Sequence, residues 1–152
     1  MCLLIIYFNL KIIIFKKVLD QVELKNGLHN CMEICFNVNK FIQDNAPWEK
    51  INIQSKRSDV IASIACNLIR VLSALFEPFM PSLSAKINLM LGLETRTEKD
   101  EKMIEFILNK DDYLNLMQVL PEGQLINEPV ILIQEFNEAL KETFRLKYNG
   151  SQ

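Results

Sequence analysis

Glycine and proline are scarce in this chain, 4 and 5 among 152 residues. That excludes collagen-like and linker architectures and leaves room for long uninterrupted helices. Histidine is scarcer still: His29 stands alone. With no H-E-x-x-H, no G-x-S-x-G and no P-loop glycines, no recognisable active site can be assembled, so no catalytic residue is expected. An excess of positive charge is also missing. The formal net charge is -2 and the isoelectric point about 5.5, which excludes nucleic-acid binding by bulk electrostatics and gives no reason to expect DNA as a partner. Any RNA contact must come from a local patch or a few stacking side chains.

The apolar start of the chain is too short to span a membrane. Met1 to Phe15 is nearly all large and apolar, but Asn9 and Lys11 interrupt it, and it is shorter than the roughly 20 residues a span needs. It lacks the basic start and cleavage site of a signal peptide, so neither membrane nor secretion is expected. Residues 1–17 read instead as an apolar leader, a suspect start resembling translated AT-rich noncoding sequence, with one domain over 18–152. Of the four cysteines, Cys2, Cys31, Cys35 and Cys66, only Cys31 and Cys35 stand one helical turn apart. A structural zinc site wants four ligands in close pairs, so no metal is expected. The cysteines read as small hydrophobes of a reduced, cytoplasmic chain.

What is present is folding composition, 49% hydrophobic and 24% charged, enough for one core. From Val18, apolar residues at Leu24, Leu28, Met32, Cys35, Val38 and Ile42 predict one helix face running to about Asn45, where Asn-Ala-Pro ends it. A polar connector from Pro47 to Arg57 follows. Ser58-Asp59 is a helix start, leading into a wide stripe of Ile61, Ile64, Leu68, Val71, Leu72, Leu75 and Phe76 that predicts a central helix. Pro78 and Pro81 form a rigid corner. The next helix, with Leu83, Ile87, Met90 and Leu91, stops at Gly92. A helix from Thr97, a short helical turn within 109–120, a loop over Pro121 to Pro129, an extended piece from Val130 to Ile133 and a last helix over Glu138 to Lys147 complete an all-α domain with a less regular C-terminal third.

The chemistry-bearing candidates are few. Asp111 and Asp112 read as a solvated turn, not as a general acid and base. Lys56 and Arg57 form a charged surface or a small phosphate-contacting patch. At the end of the first long helix, Pro47 and Trp48 lead into the connector. Trp48 either folds back to cap the core or offers a rigid face on which an unstacked base lies.

The order of several short motifs is more informative. Asn39-Lys40-Phe41-Ile42 precedes Pro47-Trp48. Asn67-Leu68-Ile69-Arg70 lies in the second helix, before Pro78-Phe79-Met80-Pro81-Ser82 and Ser84. The tail has Leu120-Pro121-x-Gly123, Pro129 and Arg145-x-x-Tyr148-x-Gly150-x-Gln152. In this order, across residues 18–152, the chain resembles the anticodon-binding domain of methionyl-tRNA synthetase, cytosolic eukaryotic type. Related helical domains of the Leu, Val or Cys synthetases match less well at Pro-Trp. The resemblance implies a class I synthetase helical bundle in the cytoplasm that holds the CAU anticodon loop of tRNA-Met.

In that family the residue matching Trp48 packs against the first anticodon base, with Pro47 rigidifying its approach. Asn39 matches the motif asparagine, which either serves the anticodon or holds the helix end. Arg70 matches a family arginine or acts as a buried structural partner. The family's catalytic domain, with H-I-G-H and K-M-S-K-S, is missing. ATP and methionine therefore have no expected site here, and the chain, a fragment of a methionine–tRNA ligase, is expected to be inactive alone. The family's first anticodon-domain helix is missing as well, and residues 94–118 match poorly. Implied partners are tRNA, a catalytic domain and a multi-synthetase complex. The alternatives are a helical protein-interaction module, which the acidic isoelectric point favours, and a truncated fragment without a role, which the leader favours.

Overall fold

The computed structural model describes residues 2–49, 55–93, 119–133 and 137–148. These residues form five α-helices and contain no strand: α1 (Cys2–Asp20), α2 (Leu24–Asn45), α3 (Ser55–Phe76), α4 (Pro81–Met90) and α5 (Glu138–Tyr148), with one 3-10 turn, Pro47–Glu49. The expected helical bundle is what forms.

The run expected to be a leader, residues 1–17, is most of α1. Phe8, Ile12 and Phe15 recur at four and three residues, so they share one face. All three are buried, Phe15 at 1% exposure, in one cluster with Cys31, Ile34 and Val38 of α2 and Leu68, Val71, Leu72 and Leu75 of α3. The packed domain therefore crosses the expected boundary at residue 18. Ile6, Leu10 and Ile13 lie on the opposite face of α1 and are exposed.

A second difference concerns the helix expected to run unbroken from Val18 to Asn45. It breaks at residues 21–23, where neither Gly nor Pro stands. The Val22 N–H donates to the Leu19 carbonyl and the Glu23 N–H to the Val18 carbonyl, the paired bonds of a Schellman ending. Val22 takes a φ of 60°, a left-handed position that a β-branched residue adopts only at a cost. The gain is tertiary: the reversal lays α2 back along α1. There Lys11 pairs with Glu33 and the Asn37 amide donates to the Tyr7 hydroxyl at 2.9 Å.

The buried face of α2 keeps most of the expected stripe: Val38 is buried, and Leu28, Cys35 and Ile42 pack partly buried against the core. Leu24 and Met32 are exposed instead, and Cys31 and Ile34 are buried beside the stripe. Gly27, also on the buried side, allows close approach. A Cβ at Gly27 would lie 3.0 Å from the Phe79 ring and 3.1 Å from Leu19. Phe79 itself sits edge-on to Phe15, ring centroids 6.2 Å apart. The proline corner behaves as expected, with Pro81 opening α4 and Phe79 N–H bonded to the Phe76 carbonyl at 3.0 Å.

The central position expected for α3 holds. Ile61, Leu68, Val71, Leu72, Leu75 and Phe76 are buried, and Ile64 packs partly buried against the cluster. Lys56–Phe76 is long and apolar enough to cross a membrane by composition alone, but its apolar face is occupied by α1, α2 and the corner. Gly92, at φ 69°, ends α4 as expected. The segment after residue 118 returns along α3 and α4. Asn67 Oδ1 accepts the Leu120 N–H at 2.8 Å, and the Asn127 amide donates to the Leu89 carbonyl at 2.7 Å. The piece expected to be extended, Val130 to Ile133, is irregular. The helix expected from Thr97 to Leu108 and residues 109–118 lie outside the described residues.

Cys31 is buried completely and its thiol lies 3.4 Å from the Leu75 carbonyl. Burial, aided by nearby Cys35, pushes the thiol up to about 12. Burial also raises Cys35 and Cys66. The packing sets the expected outcomes. Removing residues 1–17 abolishes cooperative unfolding, and Phe15→Ala in the whole chain costs about 3–5 kcal/mol, measured by urea denaturation. Val22→Gly stabilises by about 1 kcal/mol, since glycine removes the left-handed penalty. Cys31 resists iodoacetamide at pH 8 until the chain unfolds. Because its folded-state pKa is raised, its stabilising contribution is intact below the ordinary thiol value of 9.0 and is lost as pH climbs from there towards about 12, as urea midpoints in wild type and Cys31→Ala report.

Candidate anticodon-facing turn

The candidate site is the connection from α2 to α3. Three devices end α2. The Asn45 amide donates to the Phe41 carbonyl at 2.8 Å. Ala46 turns left-handed at φ 36° and its N–H donates to the Ile42 carbonyl at 2.9 Å. Pro47, which lacks an N–H, cannot continue the helix. The chain then tightens into the 3-10 turn Pro47–Glu49, closed by the Glu49 N–H on the Ala46 carbonyl at 3.1 Å. From the far side, the buried Ser58 hydroxyl donates to the Pro47 carbonyl at 3.1 Å. Ser58 was expected to cap α3. The helix begins three residues earlier, at Ser55, so Ser58 lies inside it and its hydroxyl is directed to the turn.

On this turn Trp48 is 50% exposed and is absent from the core cluster. Of the two readings open from sequence, the core cap is not what the fold adopts. Pro47 beside it is half-buried. Asn39 is exposed two turns back on α2, and its side chain makes no hydrogen bond among the described residues. Holding the helix end falls to Asn45, six residues on. Lys56 and Arg57 are exposed in the first turn of α3, and neither makes an ion pair among the described residues.

Among the described residues, exposed Lys40, Lys56 and Arg57 at this end are matched in number by exposed Asp44, Glu49 and Asp59, and a surface of mixed sign attracts a polyanion only weakly.

Arg70 does not belong to this surface. It is 2% exposed and lies twelve residues along α3 from Ser58, about 18 Å. Its guanidinium donates to Asn88 Oδ1 of α4 at 2.7 Å and to the Ser73 hydroxyl at 3.1 Å. Its work here is to join α3 to α4. Elsewhere, a shallow cleft of about 500 Å³ separates Ser63, Cys66 and Asn67 of α3 from Pro121 to Gln124. No group of three metal-ligating side chains occurs among the described residues. Sequence reasoning missed Ser58, and its only signal, a serine near a helix start, pointed to a different role.

Comparison with known proteins gives this geometry its context. A family profile described as the anticodon binding domain of methionyl tRNA ligase matches residues 3–152. That match includes most of the run expected to be a leader. A probable cytoplasmic methionine–tRNA ligase of Dictyostelium discoideum is 35% identical over 133 residues, 87% of this chain and 16% of that protein. The cytoplasmic methionine–tRNA ligase of Saccharomyces cerevisiae is 30% identical over 129 residues, 84% of this chain and 15% of that protein. The human cytoplasmic enzyme is 25% identical over 152 residues, 98% of this chain and 16% of that protein. The chain thus spans about one-sixth of the length of these relatives, and it belongs to the family of methionyl-tRNA ligase anticodon-binding domains.

Proposed function

We propose that this domain recognises tRNA-Met by its CAU anticodon loop, with Trp48 as the stacking face for an unpaired base. The observation that carries the reading is Trp48, half-exposed on a turn tied down at Ala46, Glu49 and Ser58. Unstacked RNA bases are recognised on rigid aromatic faces combined with hydrogen bonds to base edges. Pro47 stiffens the approach, Asn39 offers an unengaged amide on the same end of α2, and Lys56 and Arg57 supply phosphate contacts. Family membership supports the same reading.

The ligation of methionine to tRNA belongs to whole proteins of which this chain matches about 16%. Sites for ATP and methionine are proposed to lie in a catalytic domain outside the matched segment, and the domain acts as the recognition arm. The relatives' names place them in the cytoplasm, and we extend that location to this chain. A second role, in protein contact, is favoured by α5. Every residue of this helix is exposed, and Leu140, Phe144 and Tyr148 share one stripe, with the two rings stacked 5.9 Å apart. Such a stripe suits a catalytic domain or a multi-synthetase partner.

The test is binding of the full chain to a CAU stem-loop and to one of altered anticodon, at several salt concentrations. The CAU loop binds more tightly, and Trp48→Ala weakens that binding by about 1–3 kcal/mol, roughly 5- to 150-fold. Two or three phosphate contacts give a shallow salt slope of about −1.4 to −2.1 in log–log form. Equal affinity for both loops, or indifference to Trp48→Ala, refutes the reading.

A further inference from the structure

We propose that Ser58 is a positioning residue for anticodon binding: its hydroxyl locks the Pro47 carbonyl and thereby sets the direction in which Trp48 presents its ring. The inference rests on the reading of Trp48 as the stacking face. Ser58 is 6% exposed in the first turns of α3, and its Oγ lies 3.1 Å from the Pro47 oxygen across eleven residues of sequence. Among the described residues, this is the side-chain hydrogen bond that ties the turn to α3. The other bonds of the turn, from Ala46 to Ile42 and Gln43 and from Glu49 to Ala46, tie it to α2 and to itself.

The physical argument concerns preorganisation. A half-exposed tryptophan on a short turn has freedom that stacking would take away, and that ordering cost subtracts from affinity. The Pro47 ring already restricts one backbone angle beside Trp48. Fixing the Pro47 carbonyl restricts the peptide plane leading into Trp48 itself. Because α3 is the central helix and its buried face is shared with α1 and α2, the tether transmits the rigidity of the core to the turn. A serine serving only the helix start would leave Trp48 indifferent to its loss.

Trp48 is the only tryptophan in the chain, so its fluorescence reports the turn without any RNA. The experiment compares wild type, Ser58→Ala and Ser58→Thr by acrylamide quenching and time-resolved anisotropy of Trp48, by thermal melting, and by binding to the CAU and altered stem-loops. Ser58→Ala is expected to increase quenching and local depolarisation of Trp48 while the helical signal and cooperative melt persist. It is expected to weaken CAU binding roughly 2- to 12-fold, the factor of one lost neutral hydrogen bond, and to leave the altered loop unchanged. Ser58→Thr, which keeps the hydroxyl, restores both properties.

Unchanged Trp48 fluorescence in Ser58→Ala overturns the tether, whatever the RNA does. Altered fluorescence with undiminished CAU preference overturns the positioning role but spares the anticodon reading. A wild-type chain that does not distinguish the two loops overturns the anticodon reading, and the role built on it, even where fluorescence confirms the tether.

Discussion

Phe79 is where three parts of the chain meet, and the arrangement of the bundle follows from that contact. The proline corner after α3 delivers its ring against the backbone of α2 at Gly27 and edge-on to Phe15 of α1. A side chain at residue 27 would press on both the Phe79 ring and the end of Leu19, which would each have to yield slightly. Close packing of this kind leaves few voids and makes the position of each helix depend on the others.

Around this contact, polar groups define register where apolar packing alone would tolerate sliding. Lys11 with Glu33, and Asn37 with Tyr7, align α1 on α2 along the edge of the core. Hydrogen bonding by Lys11 holds the Glu33 carboxyl below the usual carboxylate range. Deeper in, Arg70, Ser73 and Asn88 align α4 on α3. A charge so well buried is tolerable only when hydrogen-bonded, and Asn88 and Ser73 supply two of the bonds. Cys31, next to the same core, keeps its proton for the same reason that Arg70 needs partners: the interior disfavours isolated charge.

The turn proposed to bind RNA is tied to this body. Trp48 lies outside the core, yet the turn that holds it is bonded to the end of α2 on one side and to α3 on the other. Among the described residues the exposed charges around it are mixed, so the binding proposed for this end relies on a presented face and its local bonds, in keeping with a chain whose net charge is slightly negative.

Sequence by itself determined the helical character, the stops at Ala46-Pro47, at the proline corner and at Gly92, the central α3 stripe and the Pro-Trp turn. Each of these is written in local chemistry: a missing N–H, a left-handed glycine, an apolar period near 3.6. Only tertiary structure decided the rest. Residues 1–17 read as an implausible leader because an all-round apolar segment carries no sign of which face will be covered; α2, α3 and the corner cover the Phe8–Ile12–Phe15 face. The break at Val22 has no glycine to announce it, since packing of α2 back on α1 outweighs a local penalty. Met32 was expected on the buried stripe, but it is exposed and Cys31 beside it is buried. Trp48 could have turned either way, and Ser58 resembled a helix cap, because a hydroxyl's partner eleven residues away is a fact of the fold and not of the chain around it.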